Sequence, residues 1–296
     1  MLFRSDLEVS RVVTAVWSVL ASGFGILETP TVGDDGSVYF SDITGGGVYQ
    51  LAPGADEPAV VVPRRRGVGG MALHRDGGLV ISGRDVRHVG AGPDRLLLAP
   101  SDVATAPGLI TSFNDFAVGV SGELYIGTVR TPAGHVRGDD ELFGSGELLR
   151  VDAPGHAVRL LADVETANGA VYSNSVVLQA DSARRVINSV RADGTAHTWF
   201  STASVDGVPD GLALDVDGNV WIAFYGGGCI ACFALTGELL RVITVPARRV
   251  TSVCFGRVDR TVYVTTEDNT TDAALTGCLL VSDIDVAGAA LPAAAI

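Results

Sequence analysis

The sequence predicts an all-β chain folded as a six-bladed β-propeller with four antiparallel strands per blade. Six times along the chain a turn is followed at once by a short apolar strand: DDGSVYF (34–40), RDGGLVI (75–81), VSGELYI (120–126), YSNSVVL (172–178), DVDGNVWI (215–222) and RVDRTVYV (257–264). Aligned on Val38, Leu79, Leu124, Val176, Val220 and Val262, the intervals are 41, 45, 52, 44 and 42 residues. A period in the forties with strand chemistry is that of a propeller blade, whose sheet packs on its neighbours around a central channel. Glycine is abundant, 37 of 296 residues, as tight turns require, and no sustained helical period competes.

Each unit follows one plan. An inner strand leads through a DG-type turn to the central strand, and a hairpin leads on to a third. The third strands are GVYQLA (47–52), VRHVG (86–90), GELLRVD (146–152), RRVINSV (184–190), GCIACFA (228–234) and GCLLVSD (277–283). Further turns such as ADGT (192–195) and LTGE (235–238) lead to an outer strand. RVVTAVWSVL (11–20) reads as a strand that pairs with the last blade and protects its edge. The longest interval holds TPAGHVRGDDELFGSG (131–146), long and polar enough to wall the entrance or act as a lid. The tail AGAALPAAAI (287–296) carries no strand signal and reads as partly mobile. The whole of 1–296 is expected to form one domain.

Composition narrows the function. A formal net charge of −13, with one short basic run at 64–66 that reads as a solvated loop, argues against nucleic-acid binding. No apolar run reaches the roughly 18 residues of a membrane helix. The first residues, MLFRSDLEVS, carry acids where a secretory leader would be apolar. The expectation is a soluble, cytoplasmic protein, monomeric or a small homo-oligomer, acting on a small molecule without nucleic acid or membrane. Cys229 and Cys232 form a C-x-x-C, but on a strand residues three apart point to opposite faces, so structural thiols are expected.

Counting back from the central strands exposes a polar set. Glu28, Asn114 and Asp210 each precede their aligned apolar residue by ten, and Asn168 precedes Val176 by eight. The equivalent position is Gly69 in the second unit and Ser252 in the sixth. Inner strands line the channel, so these side chains should meet in a metal site on the central axis. Two carboxylates and two carboxamides, with no thiolate or imidazole, suit a hard divalent cation, calcium best. Magnesium and manganese remain open, and zinc is disfavoured by the lack of His or Cys. Asn and Asp before Gly are also turn formers, which is the plainer account of Asn168-Gly169 and Asp210-Gly211. None of His74, His88, His135, His156 and His197 sits at an axial position, and no G-x-S-x-G elbow is present. Asp115 follows Asn114 on a strand, should face away from it, and reads as structural.

The surrounding words resemble the calcium-dependent lactonase propellers: the gluconolactonase, regucalcin (senescence marker protein) and luciferin-regenerating-enzyme-like family. VPDGLALDVDGNVWIAFYGGGCIACFALTGELLRVITVP (208–246) resembles its PDG-x-x-x-D-x-x-G-x-x-W signature, and TSVCFGRVDRTVYVTTE (251–267) the segment that follows it. ETPTVGDDGSVYFSDI (28–43), FNDFAVGVSGELYIGT (113–128) and ANGAVYSNSVVLQADS (167–182) extend the likeness over nearly the whole chain. The resemblance implies metal ligation by Glu28, Asn168 and Asp210, with Asn114 ligating or contacting substrate. Three departures stand out. Ser112 stands where sugar-lactone members carry Arg, Thr29 replaces the usual glycine after the first Glu, and the fourth repeat lacks its DG turn.

The expected activity is metal-dependent opening of a lactone or related ester, with Asp210 as general base and Asn114 orienting substrate. Ser112, Phe113, Ser252 and Tyr225 are the expected substrate contacts. Ser112 and the nearby Phe113, Phe116, Phe224 and Tyr225 favour a substrate less polar than a sugar lactone. Other readings use the same site: attack by Asp210 as nucleophile in organophosphate-type hydrolysis, a cyclase or isomerase in a biosynthetic pathway, or ligand binding without catalysis.

Overall fold

Each of the six turn-plus-apolar segments becomes the second strand of a four-stranded antiparallel sheet in the computed structural model, which describes residues 12–103, 110, 112–130, 145–257 and 260–296. From the axis outward, blade 1 is Leu27–Val32, Val38–Asp42, Gly47–Leu51 and Ala59–Pro63. Blade 2 is Met71–Leu73, Leu79–Ile81, Val86–Val89 and Arg95–Leu98. Blade 3 is Ser112–Val118, Leu124–Val129, Gly146–Ala153 and His156–Val164. Blade 4 is Ala167–Ser173, Val176–Asp181, Val186–Arg191 and Ala196–Ser201. Blade 5 is Val208–Leu214, Val220–Tyr225, Cys229–Phe233 and Leu239–Thr244. Blade 6 is Val250–Phe255, Thr261–Thr266 and Leu279–Asp283, completed on its outside by Ser18–Ala21.

The core is six wedges, one between each pair of blades. Alternate residues of a strand face opposite sides of its sheet, and here both sides are covered. Val220, Ile222 and Phe224 pack toward blade 4, while Trp221 and Ala223 pack toward blade 6. The central strands therefore read as continuous apolar runs. Cys229 and Cys232 obey the same alternation, lying in different wedges as free, buried thiols. Burial pushes both up to about 12.

The stretch expected as one N-terminal strand is two. Ser18–Ala21 closes the sixth sheet, and Val12–Thr14 runs parallel to Leu239–Thr244 as a fifth strand on blade 5. The tail differs more. Residues 287–296 form a strap across the far end of the channel. Val216 N–H donates to Ala287 O at 3.0 Å and Ala289 N–H to Leu214 O at 2.9 Å. Beyond the crossing, Ala294 N–H reaches Leu73 O at 2.8 Å and Ala295 N–H reaches Gly122 O at 2.9 Å. Ala294 and Ile296 are buried between blades 2 and 3. The basic run also departs from the expectation. The Arg65 side chain is largely buried, pairs with Asp85 at 2.6 Å and donates to Ser82 O, clamping the entry to blade 2.

Five inner strands carry a register slip against the second strand: between Glu28 and Thr31, Phe113 and Phe116, Ala167 and Ala170, Pro209 and Leu212, and Val250 and Ser252. These bulges re-aim side chains where the strands meet the axis.

Candidate functional site

Glu28, Asn114, Asn168 and Asp210 line one small cavity of about 50 Å³. Residues from four different inner strands, up to 182 positions apart in sequence, thus share one pocket. Close backbone approach makes this convergence feasible. A Cβ on Gly169 would lie 2.2 Å from Asp210 O, and one on Gly211 would lie 2.1 Å from Ser252 Oγ. Blade 2 contributes only Gly69, and a Cβ there would lie 2.1 Å from Asn114 Oδ1, so the Asn114 amide fills the space a sixth side chain would take.

The amide of Asn114 is fixed by two bonds through its nitrogen. Nδ2 donates to Ala167 O at 2.9 Å and to Asn168 Oδ1 at 3.0 Å. Glu28 Oε2 accepts from Thr29 N–H at 3.0 Å. All four side chains are buried or nearly so, with Glu28, Asn114 and Asp210 at 9% exposure or less. Burial holds the Glu28 carboxyl well above the usual carboxylate range; Asp210 and then Asp115 add like-charge repulsion, and the Thr29 N–H opposes them. Among the described residues no group of three or more His, Cys, Asp and Glu could hold a metal ion. The axial set reaches four oxygen donors because carboxamides complete a pair of carboxylates. That donor chemistry, with two buried acids set against each other, fits a hard divalent cation.

A second tier lies two residues before each axial side chain, on the same side of the strand. Ile26, Thr166 and Val208 line the pocket mouth, joined by Ile43 and Tyr225. Ser112 holds the equivalent place in blade 3 and is partly exposed. In blade 6 that place is Arg249, whose guanidinium pairs with Glu267 at 2.9 Å and lies 5.9 Å from the Tyr225 ring centroid. The Tyr225 hydroxyl donates to the other Glu267 oxygen. Among the described residues, these mouth positions are apolar or hydroxyl-bearing except for Arg249, which is engaged by Glu267.

Other expected contacts fall elsewhere. Phe113 is 1% exposed inside the wedge between blades 2 and 3, and Phe224 lies in the wedge between blades 4 and 5. Phe116 and Ser252 line a larger cavity beneath the ring. At the level of the ring blade 6 presents Thr251, which sequence counting passes over by one residue because of the bulge. Its hydroxyl donates to Leu27 O at 2.6 Å, tying the last blade to the first. Asp115 turns away from the pocket as expected, but into the channel below rather than into a wall. His74 and His88 stack at 3.9 Å in blade 2, and His156 and His197 are exposed on outer strands. His135 and most of the loop at 131–146 lie outside the described residues.

Comparison with known proteins bears on the fold and the family. A family model described as the SMP-30/gluconolactonase/LRE-like region matches residues 27–268. The chain is 28% identical over 275 residues to a 6-deoxy-6-sulfogluconolactonase from Pseudomonas putida, covering 86% of this chain and 89% of that protein. A pentonolactonase from Haloferax volcanii is 26% identical, with 79% of this chain and 78% of that protein covered. Among solved structures, a calcium-binding protein, regucalcin, from Agrobacterium tumefaciens superposes with a TM-score of 0.79 at 22% identity, covering 97% of this chain and 99% of that one.

Proposed function

The chain belongs to the SMP-30/gluconolactonase/LRE-like family, and we propose that it is a lactonase-type hydrolase working at the axial pocket with a divalent cation, calcium by its donor chemistry. The observation that carries the reading is the convergence of Glu28, Asn114, Asn168 and Asp210 in one pocket. These four side chains would hold the cation, Glu28 and Asn168 chiefly as ligands. When bound, the cation supplies fixed positive charge that polarises the lactone carbonyl and stabilises the developing oxyanion. Asp210 takes a proton from the attacking water as its oxygen adds to the carbonyl carbon. The ring C–O bond then breaks, and Asp210 returns the proton to the departing alkoxide. Asn114, its nitrogen already committed, offers Oδ1 as an acceptor for the water or a substrate hydroxyl.

The mouth supports a substrate less polar than a sugar lactone. Ile26, Ile43 and Val208 offer no partner for ring hydroxyls, and Ser112 carries no charge. Buried groups left unpaired by a polyhydroxylated ring would cost affinity.

Asp210→Asn keeps the shape of the site and removes the base. Hydrolysis of a lactone by the calcium-loaded variant is expected to fall about 10²–10⁴-fold, with the circular dichroism spectrum unchanged. Near-native turnover in that variant contradicts the assignment.

A further inference from the structure

Tyr225 is the one aromatic residue among the described residues that line the axial pocket. It ends the second strand of blade 5 and is half-buried. The Arg249 guanidinium lies over its ring, 5.9 Å from the centroid. The Tyr225 hydroxyl donates to Glu267 Oε2, and Arg249 Nη1 donates to Glu267 Oε1 at 2.9 Å. Glu267 thus stands behind Tyr225, holding it by the hydroxyl while Arg249 holds the carboxylate.

Joining the blades does not require these side-chain bonds. Tyr225 and Arg249 already form an antiparallel backbone bridge between blades 5 and 6. Glu267 N–H donates to Arg249 O at 3.0 Å, and Arg249 N–H to Asp268 Oδ1 at 2.7 Å. What the side chains add is a fixed ring plane at the mouth. A bond to the hydroxyl removes the freedom of the ring before a ligand arrives, so less is lost on binding. The ion pair balances the Glu267 charge, which keeps the mouth suited to an apolar group. The flat partner that gains most from such a ring is another aromatic ring, whose stacking adds to the area it buries.

We propose that Glu267 is a positioning residue: through the Tyr225 hydroxyl it fixes the aromatic wall of the mouth, against which an aryl substituent of the lactone stacks. The proposal rests on the lactonase reading and deepens it, naming aryl-substituted lactones as the preferred substrate class.

Steady-state kinetics of the calcium-loaded full chain on γ-phenyl-γ-butyrolactone and on γ-butyrolactone test it. Glu267→Ala is expected to raise KM for the phenyl lactone about fivefold. Its kcat should stay within about twofold, with KM for the unsubstituted lactone unchanged, the pattern of a lost binding contact. Tyr225→Phe should give the same change, and the double variant no more than either alone. Glu267→Gln keeps an acceptor for the hydroxyl and should restore a near-native KM. Calorimetric titration with 3-phenylcyclopentanone, a ketone that cannot be hydrolysed, reads the same contact without turnover. Its affinity should fall about fivefold in Glu267→Ala. Should that variant not fold, Tyr225→Phe carries both comparisons. Equal changes on the two lactones, native KM and ketone affinity in a folded Glu267→Ala, or additive losses in the double variant would overturn the proposal and leave lactone hydrolysis standing. Wild-type protein that opens neither lactone overturns the hydrolase reading instead, and the ketone titration then decides the role of Glu267 by itself.

Discussion

Glu28 and Asp115 sit where their surroundings oppose their charge most strongly. Burial pushes the Asp115 carboxyl from 3.8 up to about 7, and Glu28 moves the same way through burial and then the repulsion of Asp210. The metal-free native state therefore keeps protons that the unfolded chain has already released. Stability rises with pH only where the unfolded state holds more protons, and here it holds fewer. From these two groups, the EDTA-stripped protein loses stability as pH rises from about 3.8 to about 7. Urea midpoints across that window check it, and a midpoint that climbs instead contradicts it. Ser112 is the residue proposed to set substrate polarity. Ser112→Arg is expected to shift the kcat/KM ratio of gluconolactone to an alkyl-substituted lactone about tenfold toward the sugar, roughly one charge-assisted hydrogen bond. A ratio that does not move removes Ser112 from the specificity argument.

At the scale of the strand, the bulges decide which residue reaches the axis. Thr29 shows what such a bulge demands. It is β-branched, precedes Pro30, and adopts φ of 47°, a region that favours glycine. Strain of this kind costs about 1–3 kcal/mol, while glycine's extra chain entropy costs about 0.5–1 kcal/mol. Thr29→Gly is thus expected to stabilise the stripped protein by about 1 kcal/mol in urea unfolding, and a clear loss of stability would show that the Thr29 side chain holds the bulge in place. The bulges also mark where sequence reading stops. Central strands are legible because a DG turn and an apolar run are local: Asp215, for example, accepts the Trp221 indole N–H at 3.0 Å, which is why both belong to one sequence word. Glu28, Asn114, Asn168 and Asp210 are legible because the repeat supplies their register. Thr251 is not, since a one-residue slip depends on the neighbouring strand. Phe113 beside Asn114 reads as a pocket residue only until the sheet shows which face it occupies. The strap is invisible for another reason: alanine-rich chain held by backbone bonds leaves no side-chain pattern.

At the scale of the whole molecule, the ring is closed three times. Ser18–Ala21 completes blade 6, Thr251 ties blade 6 to blade 1, and the strap joins blade 5 to blades 2 and 3 beneath the channel. Four inner strands held this way bring two buried carboxylates together, and a divalent cation is proposed to balance them. Thermal unfolding of the EDTA-stripped protein with and without calcium reads that binding. A cation that binds only the folded state adds about 2.7 kcal/mol at a hundredfold excess over its Kd. A clear rise in Tm with calcium is expected in the wild-type chain and none in Asp210→Ala. An unchanged Tm in the fully stripped wild type, or an equal rise in the variant, would contradict it.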